Sequence, residues 1–223
     1  MGAAQDDTAA RLMRLDSCAV SDALDKLGLG GCVTGLSPLS STRKIAGRIH
    51  TVRLVAKDKA PSMSGPPRHL GTTAIEACQP GEIIVVEQKS GIDAGSWGGI
   101  LSLGAKLRGV AGVVVDGPVR DVDEACQMDF PVFGRSATAR TARNRIVEVG
   151  TDIPVTIGDM TVVPGDYVLA DSSAVVFLAQ NDAERIIDAA ESIAAREAAM
   201  AKALQSGKPI TEVMGADYEH MLK

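Results

Sequence analysis

Between residues 83 and 134 the chain alternates strand and helix patterns in an order that few folds accommodate. An apolar run at 83–87 is followed by a Gly/Ser-rich loop, a helical pattern from about 98 to 108 and a second apolar run at 112–116. An Arg-Asp turn, a helical pattern from about 122 to 129 and the short strand "FPVFG" complete the unit. This is β-α-β-α-β, in which each helix carries the chain back so that the next strand can lie beside the last. An α/β class is expected, with a Gly-Pro turn at 117–118 closing the second strand.

The flanking stretches extend that unit. Residues 8–27 place Leu12, Leu15, Val20, Ala23, Leu24 and Leu27 at helical spacing, and Asp16 or Ser17 is a good N-cap that would split them into two helices. "GLGG" at 28–31 ends that segment. Residues 44–57 alternate apolar and polar like a half-buried strand, 58–68 read as loop, and 70–78 as a short helix. Beyond 145 come short strands and turns, in which "PGDYV" echoes "PGEII" and suggests two related strand pairs. A long helix at about 182–205 starts with Asn181 as its expected cap and Glu184 three residues on. One domain is expected over 1–223: an N-terminal helical arm to 30, an α/β core to 180, then a C-terminal helix and tail.

Composition removes several functions. A formal net charge of -5 and only 3% aromatic residues leave neither a basic field nor a stacking platform for nucleic acid. Cys18, Cys32, Cys78 and Cys126 are scattered without a CxxC pair, so reduced thiols acting as small buried hydrophobes in a cytoplasmic protein are expected. No apolar run approaches the length of a membrane span, so no membrane partner is expected.

In open α/β sheets ligands gather at the carboxyl ends of strands, where helix N-termini point inward. The loop "GIDAGSWGGILS" leads into such a helix, and Gly98-Gly99 lets a carboxylate or phosphate approach its unpaired N–H groups. Asp116, Arg120 and Asp121 end the next strand and are expected to face the same crevice. Arg120 offers a planar fork for a carboxylate, and Asp121 a hard oxygen for Mg²⁺ or Mn²⁺. The same letters also spell a helix start, because "DVDE" is a capping box with Asp121 as N-cap and Glu124 at N3. The residues alone leave both readings open.

"GILSLGAKLRGVAGVVVDGPVRD", with the later "PGDYVLADSSAVVFL" and "AAREAAMAKAL", resembles the RraA-like family. That family includes the 4-hydroxy-4-methyl-2-oxoglutarate / 4-carboxy-4-hydroxy-2-oxoadipate aldolases and the RraA regulators of ribonuclease E. The resemblance implies a swivelling β/β/α domain, with central sheets flanked by helices. It also implies a homotrimer or hexamer with active sites between subunits. It assigns Arg120 to the carboxylate of a small-molecule 2-oxo acid, Asp121 to the divalent metal and the backbone of Gly98, Gly99, Ile100 and Leu101 to the keto acid. A late-helix acid from a neighbouring subunit, best matched by Glu197, would approach the metal. Where the aldolases carry an acid 21 positions before the Arg, this chain has Gly99. Asp93, in the same loop, and His69, which could act as acid or base near neutrality, are the candidate replacements. His50 and His220 carry no assignment. The activity implied is a metal-dependent lyase of aldolase or decarboxylase type that passes through a pyruvate-enolate-like intermediate. Because Gly99 replaces the acid, an isomerase, hydratase or cyclase on the same scaffold is the alternative. A non-catalytic regulator that binds a ribonuclease is the third reading.

Overall fold

A computed structural model describes residues 6–61 and 69–215. Residues 62–68 of the loop-like stretch and 216–223 of the tail, with His220, lie outside the described residues. The parallel frame consists of β3 (Ile45–Ala56), β4 (Ile83–Glu87), β5 (Gly112–Val119) and β6 (Val132–Ala137), paired in that order. The crossovers are α3 (Thr72–Ala77), α4 (Gly99–Leu107) and α5 (Val122–Gln127). Around this frame run β1 (Cys32–Val33), β2 (Ser37–Pro38), β7 (Ile146–Thr151), β10 (Tyr167–Ala170) and β11 (Val175–Leu178). A separate hairpin joins β8 (Val155–Ile157) to β9 (Met160–Val162). β3 is long enough to serve two partners on one edge: Ile45–Arg48 pair with β10, and Val52–Ala56 with β7. Its side chains alternate between buried and half-buried, as the sequence leads one to expect. The nine-stranded sheet is thereby curled, with helices on its flanks.

The curl makes three apolar interiors. α3, α4 and α5 cover one face of the parallel strands around Trp97, Phe130 and Val115. The inside of the curl holds Val114, Phe133 and Phe177 against Ile157 and Val162 of the hairpin. α1 (Asp7–Leu12), α2 (Ser17–Lys26) and α6 (Ala183–Gln205) cover β10 and β11. The expected terminal arms therefore pack on each other, and Arg11 Nε donates to Glu191 Oε1 (3.0 Å) between them. A last short helix, α7 (Ile210–Val213), follows α6.

Local chemistry explains most boundaries. Asp16 caps α2 by accepting from Ala19 N–H (2.8 Å), and Gly28 closes that helix at φ +68°. α6 starts one residue later than expected. Asp182 N–H bonds Ala179 O (3.0 Å) in a turn, so Asp182 takes the cap position and Asn181 falls outside the helix. "PGEII" and "PGDYV" share a turn with a left-handed glycine, Gly81 and Gly165. The strands they deliver lie parallel and antiparallel to β3 respectively, so the echo is one of turn geometry. Only Cys78 of the four cysteines is buried, which corrects the expectation for Cys18, Cys32 and Cys126.

One correction positions the site. Gly117-Pro118 is no turn: β5 continues through it to Val119, with a register shift against β6 between Val115 and Pro118. Proline has no N–H to give a ladder, and an irregular rung is where a strand tolerates it. The overrun carries Arg120 and Asp121 beyond the ends of the neighbouring strands.

Asp171 ties α2 to the β10–β11 turn. Its carboxylate accepts from Ser17 N–H (2.8 Å), Ser17 Oγ (2.6 Å) and Ser173 N–H (2.9 Å). Burial alone would raise its pKa, but these hydrogen bonds outweigh burial and hold it below the usual carboxylate range. A depressed folded pKa means stability present at neutral pH and lost as pH falls through that value. Asp171→Asn should therefore lower the melting temperature at pH 7 and shrink the difference between pH 7 and pH 3. Equal losses at both pH values would contradict this account.

Candidate functional site

The overrun of β5 is held on both sides. Ser96 N–H bonds Pro118 O (2.9 Å) and Arg120 N–H bonds Trp97 O (2.9 Å), so residues 96–97 pair with it like a short strand. On the other side Thr138 N–H bonds Val119 O (2.8 Å). Trp97 is fully buried, its Nε1–H donates to Ser102 Oγ (3.0 Å), and Ser102 Oγ donates to Gly98 O (3.1 Å). The start of α4 and the Arg-Asp pair are thus one rigid unit.

Asp121 decides between the two readings of "DVDE". Its backbone is left-handed, φ 55° and ψ 38°, and its side chain makes no capping bond to α5. Instead Oδ2 accepts from Gly99 N–H (3.1 Å), so the carboxylate sits at the N-terminus of α4, the neighbouring helix. Asp is one of the few non-glycine residues that enters this region, and at a cost of about 1–2 kcal/mol. The capping box is therefore not formed, although Glu124 N–H bonds the backbone Asp121 O (3.1 Å).

Arg120 lies against the same corner. Its stem runs over Gly95 and Gly98: a Cβ at either position would come within 2.7 or 3.1 Å of Arg120 Cγ. Nε donates to both Asp121 oxygens (3.1 and 3.0 Å). The two Nη groups make no hydrogen bond among the described residues. A guanidinium anchored through Nε keeps a planar pair of donors for an anion. Beside it, the N–H groups of Ile100 and Leu101 open α4 without helical partners. These groups line a cavity of about 240 Å³ whose lining also includes His69, Thr141 and Ala142. The arrangement can hold a small carboxylate by a guanidinium and helix N–H groups, next to a carboxylate of its own.

A family model described as Aldolase/RraA, RraA-like, matches residues 17–177. The chain belongs to the RraA-like family. "Protein DlpA" of Legionella pneumophila is 27% identical over 91% of this chain, which spans only 32% of that protein's length. A protein of Halalkalibacterium halodurans named "Putative 4-hydroxy-4-methyl-2-oxoglutarate aldolase" is 26% identical, over 92% of this chain and 91% of its own. Among solved structures, an uncharacterized protein from Pseudomonas syringae pv. tomato has a TM-score of 0.83 at 25% identity, covering 96% of this chain and 100% of that one. Streptomyces coelicolor RraAS2, described as an unusual member of the RNase ES inhibitor RraA protein family, has a TM-score of 0.76 at 23% identity, covering 93% and 100%. That last likeness is one of fold.

In this RraA-like chain the cavity gathers Gly98, Gly99, Ile100, Leu101, Arg120, Asp121 and His69, the residues that the sequence suggests. It does not gather the others. Asp93 pairs with Arg140 Nε (3.2 Å) on the surface and does not line the cavity. Asp116 faces elsewhere: buried, it accepts from Arg135 Nε (2.7 Å) and Gly158 N–H (2.7 Å) and latches the β8–β9 hairpin. Glu197 lies on α6, where desolvation and then the charges of Asp16 and Asp22 raise its pKa. Within one chain it is not a cavity residue. Thr141 and Ala142 were missed, since "TARTARN" carries no pattern that brings it back to the site. His50 has a structural place. Its Nε2 and Nδ1 bond Glu82 and Asp152 (2.9 Å each) at the far end of β4, near Cys78, whose thiol burial pushes up to about 12.

The left-handed backbone of Asp121 is directly testable. Asp121→Ala and Asp121→Gly both lose the acceptor for Gly99 N–H, but only alanine keeps the backbone strain. The glycine variant should be the more stable of the two by about 1 kcal/mol. A glycine variant that unfolds at lower denaturant than the alanine variant would show that Asp121 is not strained.

Proposed function

We propose that the chain is a divalent-metal-dependent lyase, of aldolase or decarboxylase type, acting on a small 2-oxo carboxylic acid. The observation that carries this reading is Arg120: anchored through Nε, its Nη fork makes no hydrogen bond among the described residues and lies in a cavity that also holds Asp121 and the start of α4. The names of the aldolase relatives in the same family agree with it.

In this reading the Arg120 fork and the N–H groups of Ile100 and Leu101 grip the carboxylate end of the substrate. As carbon–carbon cleavage or decarboxylation proceeds, negative charge gathers on the pyruvate enolate. The same fixed donors neutralise it without reorganising, which is the strongest single device available to such a site. The donor set fits the proposed cofactor, because Asp121 presents hard carboxylate oxygen suited to Mg²⁺ or Mn²⁺. When bound, such a cation supplies Lewis-acid polarisation of the keto oxygen. His69, exposed on the cavity wall, is the candidate acid or base.

The assembly proposed is a homotrimer or hexamer with its sites between subunits. Its support is an apolar stripe on α4: Ile100 is 80% exposed, Leu103 43% and Leu107 79%, one to two turns apart on the helix that opens into the cavity. Such a stripe suits burial against another chain. Glu197 would reach the site from a neighbouring copy.

Purified protein with Mg²⁺ or Mn²⁺ should release pyruvate from 4-hydroxy-4-methyl-2-oxoglutarate or oxaloacetate. Arg120→Ala should lower kcat/KM by about 100-fold or more, the scale of losing an oxyanion donor. No pyruvate from either substrate would overturn the lyase reading. If oxalate still binds in an Arg120-dependent way, a different reaction on the same scaffold replaces it. By light scattering the protein should exceed its 23.1 kDa chain mass severalfold, and Leu107→Glu should reduce it toward one chain. A wild-type monomer would refute the shared site.

A further inference from the structure

α4 opens on two glycines, and the second has a specific neighbour. A Cβ at Gly99 would lie 1.8 Å from Glu124 Oε2 and 2.7 Å from Glu124 Cδ. The carboxylate of Glu124 therefore occupies the space into which any side chain at position 99 would grow. The same point is 3.3 Å from Asp121 Cβ. Asp121 and Glu124 bracket the first turn of α5, and the left-handed backbone of Asp121 turns its carboxylate toward the spot that Glu124 reaches from the helix.

The two acids differ in how they are held. Asp121 is tied by Gly99 N–H and Arg120 Nε. Glu124 makes no side-chain hydrogen bond or ion pair among the described residues. Two carboxylates that meet at Gly99, one on its N–H and the other where its Cβ would stand, repel each other. The start of α4 offsets part of that. The first turn of α5 favours an acid at Glu124, but no side-chain hydrogen bond or ion pair among the described residues fixes its carboxylate beside Asp121. Glycine at 99 then has a clear purpose, because it leaves room for the acid that comes from α5.

We propose that Glu124 is the second carboxylate of the site. It fills from α5 the volume that a side chain at position 99 would fill from α4, and together with Asp121 it holds the divalent cation. This rests on the metal-dependent reading of the cavity given above. Mn²⁺ alone is the probe, with the free ion followed by electron paramagnetic resonance during titration of the full chain. Glu124→Gln should weaken Mn²⁺ binding by about 10-fold or more. It should leave the circular dichroism spectrum unchanged and the melting temperature of the metal-free chain no lower, because the side chain is exposed and its charge is repelled by Asp121. Asp123→Asn, which removes the exposed acid next to it, should bind as the wild type does. The double variant Gly99→Asp, Glu124→Gln should recover Mn²⁺ affinity, because a carboxylate returns to the same volume from α4. Wild-type Mn²⁺ affinity in Glu124→Gln overturns this proposal alone, and so does an equal loss in Asp123→Asn, which would mark diffuse surface charge. A wild-type chain that binds no Mn²⁺ overturns the metal-dependent reading and this proposal with it.

Discussion

Everything at the cavity depends on a short backbone seam. Ser96 N–H on Pro118 O, Arg120 N–H on Trp97 O and Thr138 N–H on Val119 O clamp the overrun of β5 between two loops. Each bond is worth only about 1 kcal/mol net. Together they fix where Arg120 leaves the sheet relative to where α4 begins. Trp97 anchors the seam from below, since its ring is buried and its N–H is used by Ser102. Without the seam, the guanidinium and the helix N-terminus would belong to separate loops, and a carboxylate could not be met by both at once.

The second constraint is local strain put to use. Asp121 is one of four non-glycine residues with positive φ among those described, all of them Asp or Asn. At Asp121 the unusual backbone has a consequence that the other candidate conformation lacks. A cap in the ordinary extended conformation would spend the carboxylate on α5. The left-handed one aims it across to α4, toward the cavity. Strained residues of this kind persist where surrounding structure over-determines them, and they cluster at functional sites.

Membership of the RraA-like family accounts for the fold and leaves the chemistry to the cavity itself. Identity near 25% to structures and relatives is ample for the architecture. It does not carry each side chain across, and at Gly99 the carboxylate of Glu124 stands where a Cβ would be. The other end of β4 is organised differently. There His50 is hydrogen-bonded on both ring nitrogens, and the nearby Cys78 thiol is held protonated by burial. The two ends of one strand thus separate the open corner that holds Arg120 and Asp121 from a closed polar latch.

Periodicity determined the parallel unit, because strand and helix patterns of 83–134 are local and each apolar run is long enough to declare itself. The two helices at the N-terminus followed from the cap at Asp16 and the glycine at 28, which act within a few residues. The residues of the cavity were also legible in large part, since Gly98 to Leu101, Arg120 and Asp121 end consecutive β-α units and must meet at one edge of the sheet. What the letters could not decide was direction. Asp116 and Asp121 are both acids near the end of β5. One turns to Arg135 and a hairpin 42 residues on, while the other turns to a helix 22 residues back. Likewise "DVDE" satisfies every local rule for a capping box, and tertiary contacts override it because Gly99 N–H offers Asp121 a partner that α5 does not. Side-chain direction at a strand end depends on the register of neighbouring chains, which is a long-range quantity. The sequence by itself determined which residues arrive at the corner; only the tertiary structure decided which way they point.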